Sequence, residues 1–471
     1  MQRFGLWLDG RWHETDRWLE VRSPYDGSLV GMVSAGGAQQ VQEAVESAQR
    51  AMAKPLPEYQ RAEILNRAAH LIEQRREDFA RTIALEAGKP IRTARIEVLR
   101  AVATLTFSAI EARTLAGEVV PMSGAAAGTG KIAFTMREPV GVVGAITPFN
   151  FPLNLVCHKV GPAIAAGCAV VLKPASATPI TALKLAEVLM EADLPRSWLN
   201  VIPGSGKEVG NALVDHPEVP LISFTGSVEV GRAIRERVPH KKVLLELGNS
   251  SPLIVFEDAN LEAAAQAVAT HGFSHAGQSC ISVQRVLVHE PIAEAFERLV
   301  VERVQQLVVG DPLDENTHVG PLITTADRDR VKAWVDEAVA AGARLLLGGQ
   351  VEGGLLMPTV LADVTPEMKV FCKEVFGPVV GLTRFRTMDE AVELANATEY
   401  GLQAGVFTAS IHTAFEMARR LRFGGVLINE APTYRTDQMP YGGVKASGNT
   451  REGPHYAVRE MTVEKLVVIQ L

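Results

Sequence analysis

The sequence predicts an α/β protein with at least two α/β units, on three observations. The first 120 residues carry apolar stripes at helical spacing. From about residue 140, short β-branched runs alternate with amphipathic stretches, the signature of a parallel sheet with crossover helices. The same alternation restarts after residue 250.

Val41, Ala44, Val45, Ala48 and Met52 form one apolar stripe, and Ile64, Leu65, Ala68, Leu71 and Ile72 a second, so two amphipathic helices are expected. The run Leu85-Glu86-Ala87-Gly88-Lys89-Pro90 closes a further helix with a Gly then Pro stop signal. Residues 140–146 read as a buried strand, 163–167 as a helix end, 169–172 as a strand and 181–192 as a helix. In the second unit, 253–256 and 286–288 read as strands around a helix at 261–270. Residues 131–136 and 464–469 look like strands outside both units.

The 471 residues suffice for two or three domains. The 47 Lys+Arg against 54 Asp+Glu leave a net charge of −7, which argues against nucleic acid or an anionic membrane as partner. Cys157, Cys168, Cys280 and Cys372 are too scattered for a disulfide framework or a paired zinc motif, so no metal site is read and a reducing compartment fits. The N-terminus lacks a secretory h-region, and the longest uncharged stretch, 160–172, falls short of the roughly 18 apolar residues of a spanning helix. A soluble, cytoplasmic protein with no membrane partner is expected.

Five segments carry chemistry. His275-Ala276-Gly277-Gln278-Ser279-Cys280 sets a cysteine after a Gly-containing turn, either as inert core or as a thiolate that attacks a carbonyl carbon. Leu244-Leu245-Glu246-Leu247-Gly248 puts a carboxylate in an apolar run, either a paired structural residue or a base of raised pKa. In Thr147-Pro148-Phe149-Asn150-Phe151-Pro152, prolines fix an amide that can donate to a developing oxyanion. Val171-Leu172-Lys173-Pro174-Ala175-Ser176 ends a strand on a lysine, where open α/β sheets bind ligands. Ser223-Phe224-Thr225-Gly226-Ser227-Val228-Glu229-Val230-Gly231 is a Gly-containing turn opening a helix, suited to a pyrophosphate though not a GxGxxG fingerprint.

In combination and in this order, with Glu374-Val375-Phe376-Gly377-Pro378 and Pro440-Tyr441-Gly442-Gly443-Val444-Lys445-Ala446-Ser447-Gly448, these segments resemble the aldehyde dehydrogenase superfamily nearly end to end. The resemblance implies a Rossmann-like cofactor domain (1–120 and 140–248), an α/β catalytic domain (249–445) and a small β bridging or oligomerisation domain (121–139 and 457–471). It implies that Cys280 is the nucleophile, that Asn150 and the Cys280 backbone N–H hold the oxyanion, and that Glu246 activates the water that hydrolyses a thioester. That carboxylate disfavours the CoA-acylating branch, the first rival. Cys280, Glu246 and Asn150 together argue against the second, an inactive binding protein of the same fold.

For NAD or NADP, the resemblance assigns Glu374 to the nicotinamide ribose, Phe376 to the ring's side, Gly226 and Ser227 to the phosphates and Lys173 to the adenosine ribose, with Thr147, Pro148 and Leu247 beside them. Ser176 stands where many NAD-preferring members carry Glu. Its hydroxyl removes a repulsion, so NADP is favoured, with Lys207 a candidate phosphate contact and dual specificity the alternative. Asn249 replaces a usual glycine; Asn tolerates φ > 0, so the turn that orients Glu246 should survive.

For the substrate, an aldehyde, the resemblance marks Phe151, Ser279, Arg100, His158 and Arg435 as lining positions. Three cationic or potentially cationic groups on one mouth suggest an anionic tail. The alternative leaves Arg100 and Arg435 solvated or paired with acids such as Glu97 or Asp437. The texture is nearest to the lactaldehyde, phosphonoacetaldehyde and non-phosphorylating glyceraldehyde-3-phosphate branch, with succinate semialdehyde enzymes beside it. Ser279 and His158 each depart from those patterns, so no single aldehyde is named. The two outlying strands would extend a partner's sheet, giving a homodimer or homotetramer.

Overall fold

A computed structural model describes residues 2–471. The two apolar stripes face inward on helices Ala38–Met52 and Glu58–Gln74, whose Val41, Ala44, Val45, Ala48, Ile64, Leu65, Ala68 and Ile72 are buried. Helix Arg76–Ala87 stops where expected, at Gly88 with φ +67. A Cβ there would also lie 2.6 Å from Pro321, so handedness and space both select glycine.

The first sheet has seven strands in the order Lys242–Glu246, Leu221–Thr225, Val143–Ile146, Val170–Lys173, Leu199–Val201, Leu6–Leu8, Arg11–His13. The first five are parallel and the last two antiparallel. The chain runs outward from Val143–Ile146 in one direction, then returns to that strand's other side with Leu221–Thr225. This reversal is a topological switch point, the place where open α/β sheets leave a crevice beyond the carboxyl ends of their strands. Both strands flanking it are buried along nearly their whole length.

The strand expected at 140–146 starts only at Val143. Gly141 has φ +123 and lies against Pro220, so the backbone turns there, and the Val140 N–H donates to the Met461 carbonyl instead of a ladder partner.

The second sheet is ordered Arg344–Leu347, Thr359–Ala362, Val379–Phe385, Val283–His289, Ser251–Val255, Gln403–Phe407, Gly425–Ile428, parallel except at its first pair. It has its own apolar core, separate from the one built on the first sheet. The two outlying segments pair with each other: Thr462–Gln470 runs antiparallel to Lys131–Pro139 in unbroken register. Val463, Leu466, Val468, Ile132 and Met136 are exposed on this small sheet. Among the described residues, no helix is long and apolar enough to cross a membrane.

Candidate active site

The loops after the two switch-point strands carry two of the expected segments. Thr147-Pro148-Phe149-Asn150 follows Val143–Ile146, and Gly226-Ser227 follows Leu221–Thr225 before helix Val228–Arg237. Ser227 caps that helix, accepting from the Val230 N–H, which leaves its first turn facing the crevice. A Cβ on Gly226 would fall 2.5 Å from the Phe224 ring, so this turn has no room for a side chain. Pro148, Asn150, Gly226, Ser227, Glu246, Leu247, Cys280, Glu374 and Phe376 all line one cleft of about 890 Å³. Thr147 is buried behind it, its N–H donating to the Lys173 carbonyl.

Cys280 precedes strand Val283–His289 of the second sheet and is locked to the first unit through its neighbour: Asn150 Nδ2 donates to the Gln278 carbonyl at 2.9 Å. The second amide hydrogen of Asn150 remains for a ligand. Burial pushes the Cys280 thiol up to about 12, opposed by a hydrogen bond with Tyr441, whose Oη lies 2.8 Å from Sγ. Glu246 ends strand Lys242–Glu246, and neither carboxylate oxygen has a hydrogen-bond partner among the described residues. Burial, then the nearby Glu452 charge, hold it well above the ordinary carboxylate range. A carboxylate so placed holds its proton more tightly than an exposed one, the environment that suits proton transfer.

The turn behind Glu246 differs from expectation in detail. Asn249 is not left-handed; the positive-φ residue opposite is Phe376, at φ +51. Asn249 is used for its side chain, which donates to Ser251 Oγ at 2.7 Å and accepts from the Leu402 N–H. Its backbone N–H donates to Glu374 Oε1. Enclosure raises the Glu374 carboxyl to about 7. Phe376 packs edge-on against Phe149, with ring centres 5.9 Å apart.

Lys173 and Ser176 lie outside that cleft's wall, together with the turn at Gly206–Gly210. Ser176 Oγ donates to the Gly204 carbonyl, Lys173 packs near Gly210, and Lys207 is exposed on the same turn. Among the described residues the Lys173 ammonium has a single partner, the Pro174 carbonyl, and burial lowers it to about 8. A buried cation without a carboxylate fits a ribose or phosphate ligand. The donor set therefore fits a dinucleotide: helix N-terminus, lysine and hydroxyl at one end, the Glu374 carboxylate near the thiol.

A second cavity, of about 570 Å³, reaches the other side of the Cys280 segment through Phe151, Ser279 and Ile281. Arg100 lines it, as do Arg92 and Arg303. Its one carboxylate, Glu97, is committed to a buried pair with Lys89 and accepts from the Leu153 and Asn154 N–H groups. His158 and Arg435, expected on this wall, are not there. His158 Nε2 lies 2.9 Å from Asp437, and Arg435 donates to Glu452 at 3.0 Å, all four buried. Burial and the Arg435 charge lower the His158 pKa, so its ring is neutral. Burial alone would raise Asp437, but the His158 hydrogen bond and the charges of Arg100 and Arg435 outweigh it and keep the carboxylate ionised. Asp437 lies 279 residues from His158 and Glu452 only 17 from Arg435, but neither separation is a local pattern, so residue type alone put both on the mouth. Arg100 does both things: it donates to Asp437 at 3.0 Å and keeps 23% of its side chain exposed.

Sequence reasoning missed Tyr441, Glu452 and Lys159, which surround Cys280 and Glu246. Tyr441 stood within a quoted motif, whereas nothing local marks Glu452 or Lys159. Cys157, read as core, is fully buried.

The aldehyde dehydrogenase family model matches residues 12–467. The chain is 47% identical to the 3-sulfolactaldehyde dehydrogenase of Priestia megaterium, covering 100% of this chain and 99% of that one. It is 41% identical to the lactaldehyde dehydrogenase of Methanococcus vannielii, over 98% and 99% of the two chains. The glyceraldehyde-3-phosphate dehydrogenase GapN of Methanocaldococcus jannaschii, solved with NADP, superposes with a TM-score of 0.93 at 39% identity, over 97% of this chain and all of the other. The chain belongs to the aldehyde dehydrogenase family, as an NAD(P)-dependent enzyme.

Proposed function

We propose that this enzyme oxidises a small aldehyde with an anionic or hydroxylated tail to its carboxylic acid, using Cys280, Glu246 and Asn150. The observation that carries the reading is the convergence of these three side chains, from different loops and both sheets, on the cleft at the switch point. The Cys280 thiolate attacks the aldehyde carbon, and the Asn150 amide with the Cys280 N–H takes the developing oxyanion. Glu374, Ser227 and Lys173 would hold NAD(P)+, which supplies the hydride acceptor. Glu246 then removes a proton from the water that cleaves the thioester, freeing the acid and the thiol.

The anionic tail is supported by the second cavity, where Arg92 and Arg100 face one already-paired carboxylate and the third arginine, Arg303, is paired with Glu262. The relatives' named substrates, 3-sulfolactaldehyde and lactaldehyde, belong to the same chemical range. Ser176 and the unpaired Lys173 favour NADP. The exposed apolar face and free edge of Thr462–Gln470 favour a homodimer or homotetramer.

Glu246→Gln tests the core of the reading. Mixed with aldehyde and NADP, it should release one NADPH per subunit in a burst and then stall, with intact mass showing an acyl group on Cys280. Continued turnover, or NADPH without an adduct, would overturn it.

A further inference from the structure

The Tyr441 hydroxyl is buried, and its recorded partner is the Cys280 sulfur at 2.8 Å. The ring is fixed on all sides. It packs in a small apolar cluster with Ile281 and Leu402, against which Cys280 itself rests. Its backbone is clasped by the Glu452 N–H, which donates to the Tyr441 carbonyl at 2.6 Å. Over the ring's face lies Arg435, its guanidinium carbon 3.8 Å from the ring centre and its position secured by Glu452.

We propose that Tyr441 is a catalytic residue whose hydroxyl donates a hydrogen bond to the ionised Cys280 sulfur, with Arg435 on the ring face strengthening that donation. This rests on the reading of Cys280 as the nucleophile.

The direction of the bond follows from the proton count. A neutral thiol and a phenol can each donate to the other, but a thiolate has no proton, so once Cys280 ionises only Tyr441 can donate. A hydrogen bond to a charged partner is the stronger kind, so the contact favours the reactive form over the resting one. The site needs that help. Besides burial, the carboxylates of Glu374 and Glu246 oppose a negative sulfur, and the groups that favour it are Tyr441 and Arg435. A cation on the ring face draws electron density from the phenol, making its hydroxyl a better donor. Because Arg435 is bound to Glu452 and lies beyond the ring, the charge assists without competing for the sulfur as an ion partner.

The test is the rate of iodoacetamide alkylation of Cys280 across pH, in which the thiolate forms an S–C bond and expels iodide. It compares wild type, Tyr441→Phe and a protein with 3-fluorotyrosine inserted at position 441, with Cys280→Ser as the labelling control. Tyr441→Phe should slow alkylation at neutral pH about tenfold, a shift of about one pH unit and the low end for a bond to an ionised partner. The fluorinated residue, a more acidic donor in the same ring, should react faster than wild type. Opposite effects of the two variants are the signature, because a merely structural role would slow both or neither. Equal rates in all three, with label on Cys280, would overturn the proposal. Turnover surviving in Cys280→Ser would instead overturn the reading of the nucleophile.

Discussion

The Asn249 backbone N–H donates to Glu374 Oε1 at 3.0 Å, tying the turn behind Glu246 to a carboxylate contributed by the other α/β unit. Gly248, between them, has no space to spare: a Cβ there would meet Glu374 Oε2 at 2.3 Å. The obstructing atom is the end of a flexible side chain, so Gly248→Ala should fold and displace the carboxylate from the position proposed to hold the nicotinamide ribose. Its Kd for NADP, read by fluorescence titration, should rise about tenfold, or about 1.4 kcal/mol, with the thermal midpoint nearly unchanged. Unaltered cofactor affinity would separate Glu374 from cofactor binding.

Arg100 and Arg435 should fail in different ways. Arg100 borders the second cavity, and Asp437 keeps His158 and the Asn154 amide without it. Arg100→Ala should raise KM at least tenfold for an aldehyde with a sulfonate or carboxylate tail, and leave a neutral aldehyde of equal length unchanged. Arg435→Ala leaves the buried Glu452 carboxylate with Lys159, at 3.4 Å, in place of two cations, and should be visible first as a lower thermal midpoint. Steady-state kinetics on the matched aldehydes and calorimetry on both variants check this. Equal KM changes for charged and neutral aldehydes in Arg100→Ala would remove the argument for an anionic tail.

Glu86 makes stability depend on pH. Fully buried, it accepts from the Ile180 and Thr181 N–H groups at the start of helix Ile180–Glu191, and burial outweighs these bonds to raise its pKa from 4.5 to about 7. Between those values the folded protein holds a proton that the unfolded chain has released. This contribution is therefore complete below pH 4.5 and is lost as pH rises through 7. The loss is on the order of 3 kcal/mol. Asp437 and Glu452, both depressed, act the other way, contributing above the ordinary carboxylate range and losing stability as pH falls. Glu86→Gln keeps an acceptor for the helix and removes the titration, so the decline in thermal midpoint from about pH 5 to 7.5 should shrink. An identical decline in the variant would assign it to other groups.

The sequence by itself determined what short-range chemistry encodes. Helical stripes such as Val41 to Met52 and the stop at Gly88 need only neighbours three or four residues away, or one turn of backbone. Asn150, Glu246 and Cys280 were legible for a related reason: each sits in a short segment whose prolines, glycines or apolar flanks already dictate its presentation. Tertiary structure decided the electrostatics around them. Tyr441 reaches Cys280 across 161 residues, and His158 reaches Asp437 across 279. Whether a cation is paired or free depends on which distant carboxylate packs against it, and no local pattern carries that information. The same holds at 140–142, where Pro220 and Met461, both remote, end a strand that β-propensity alone would have continued.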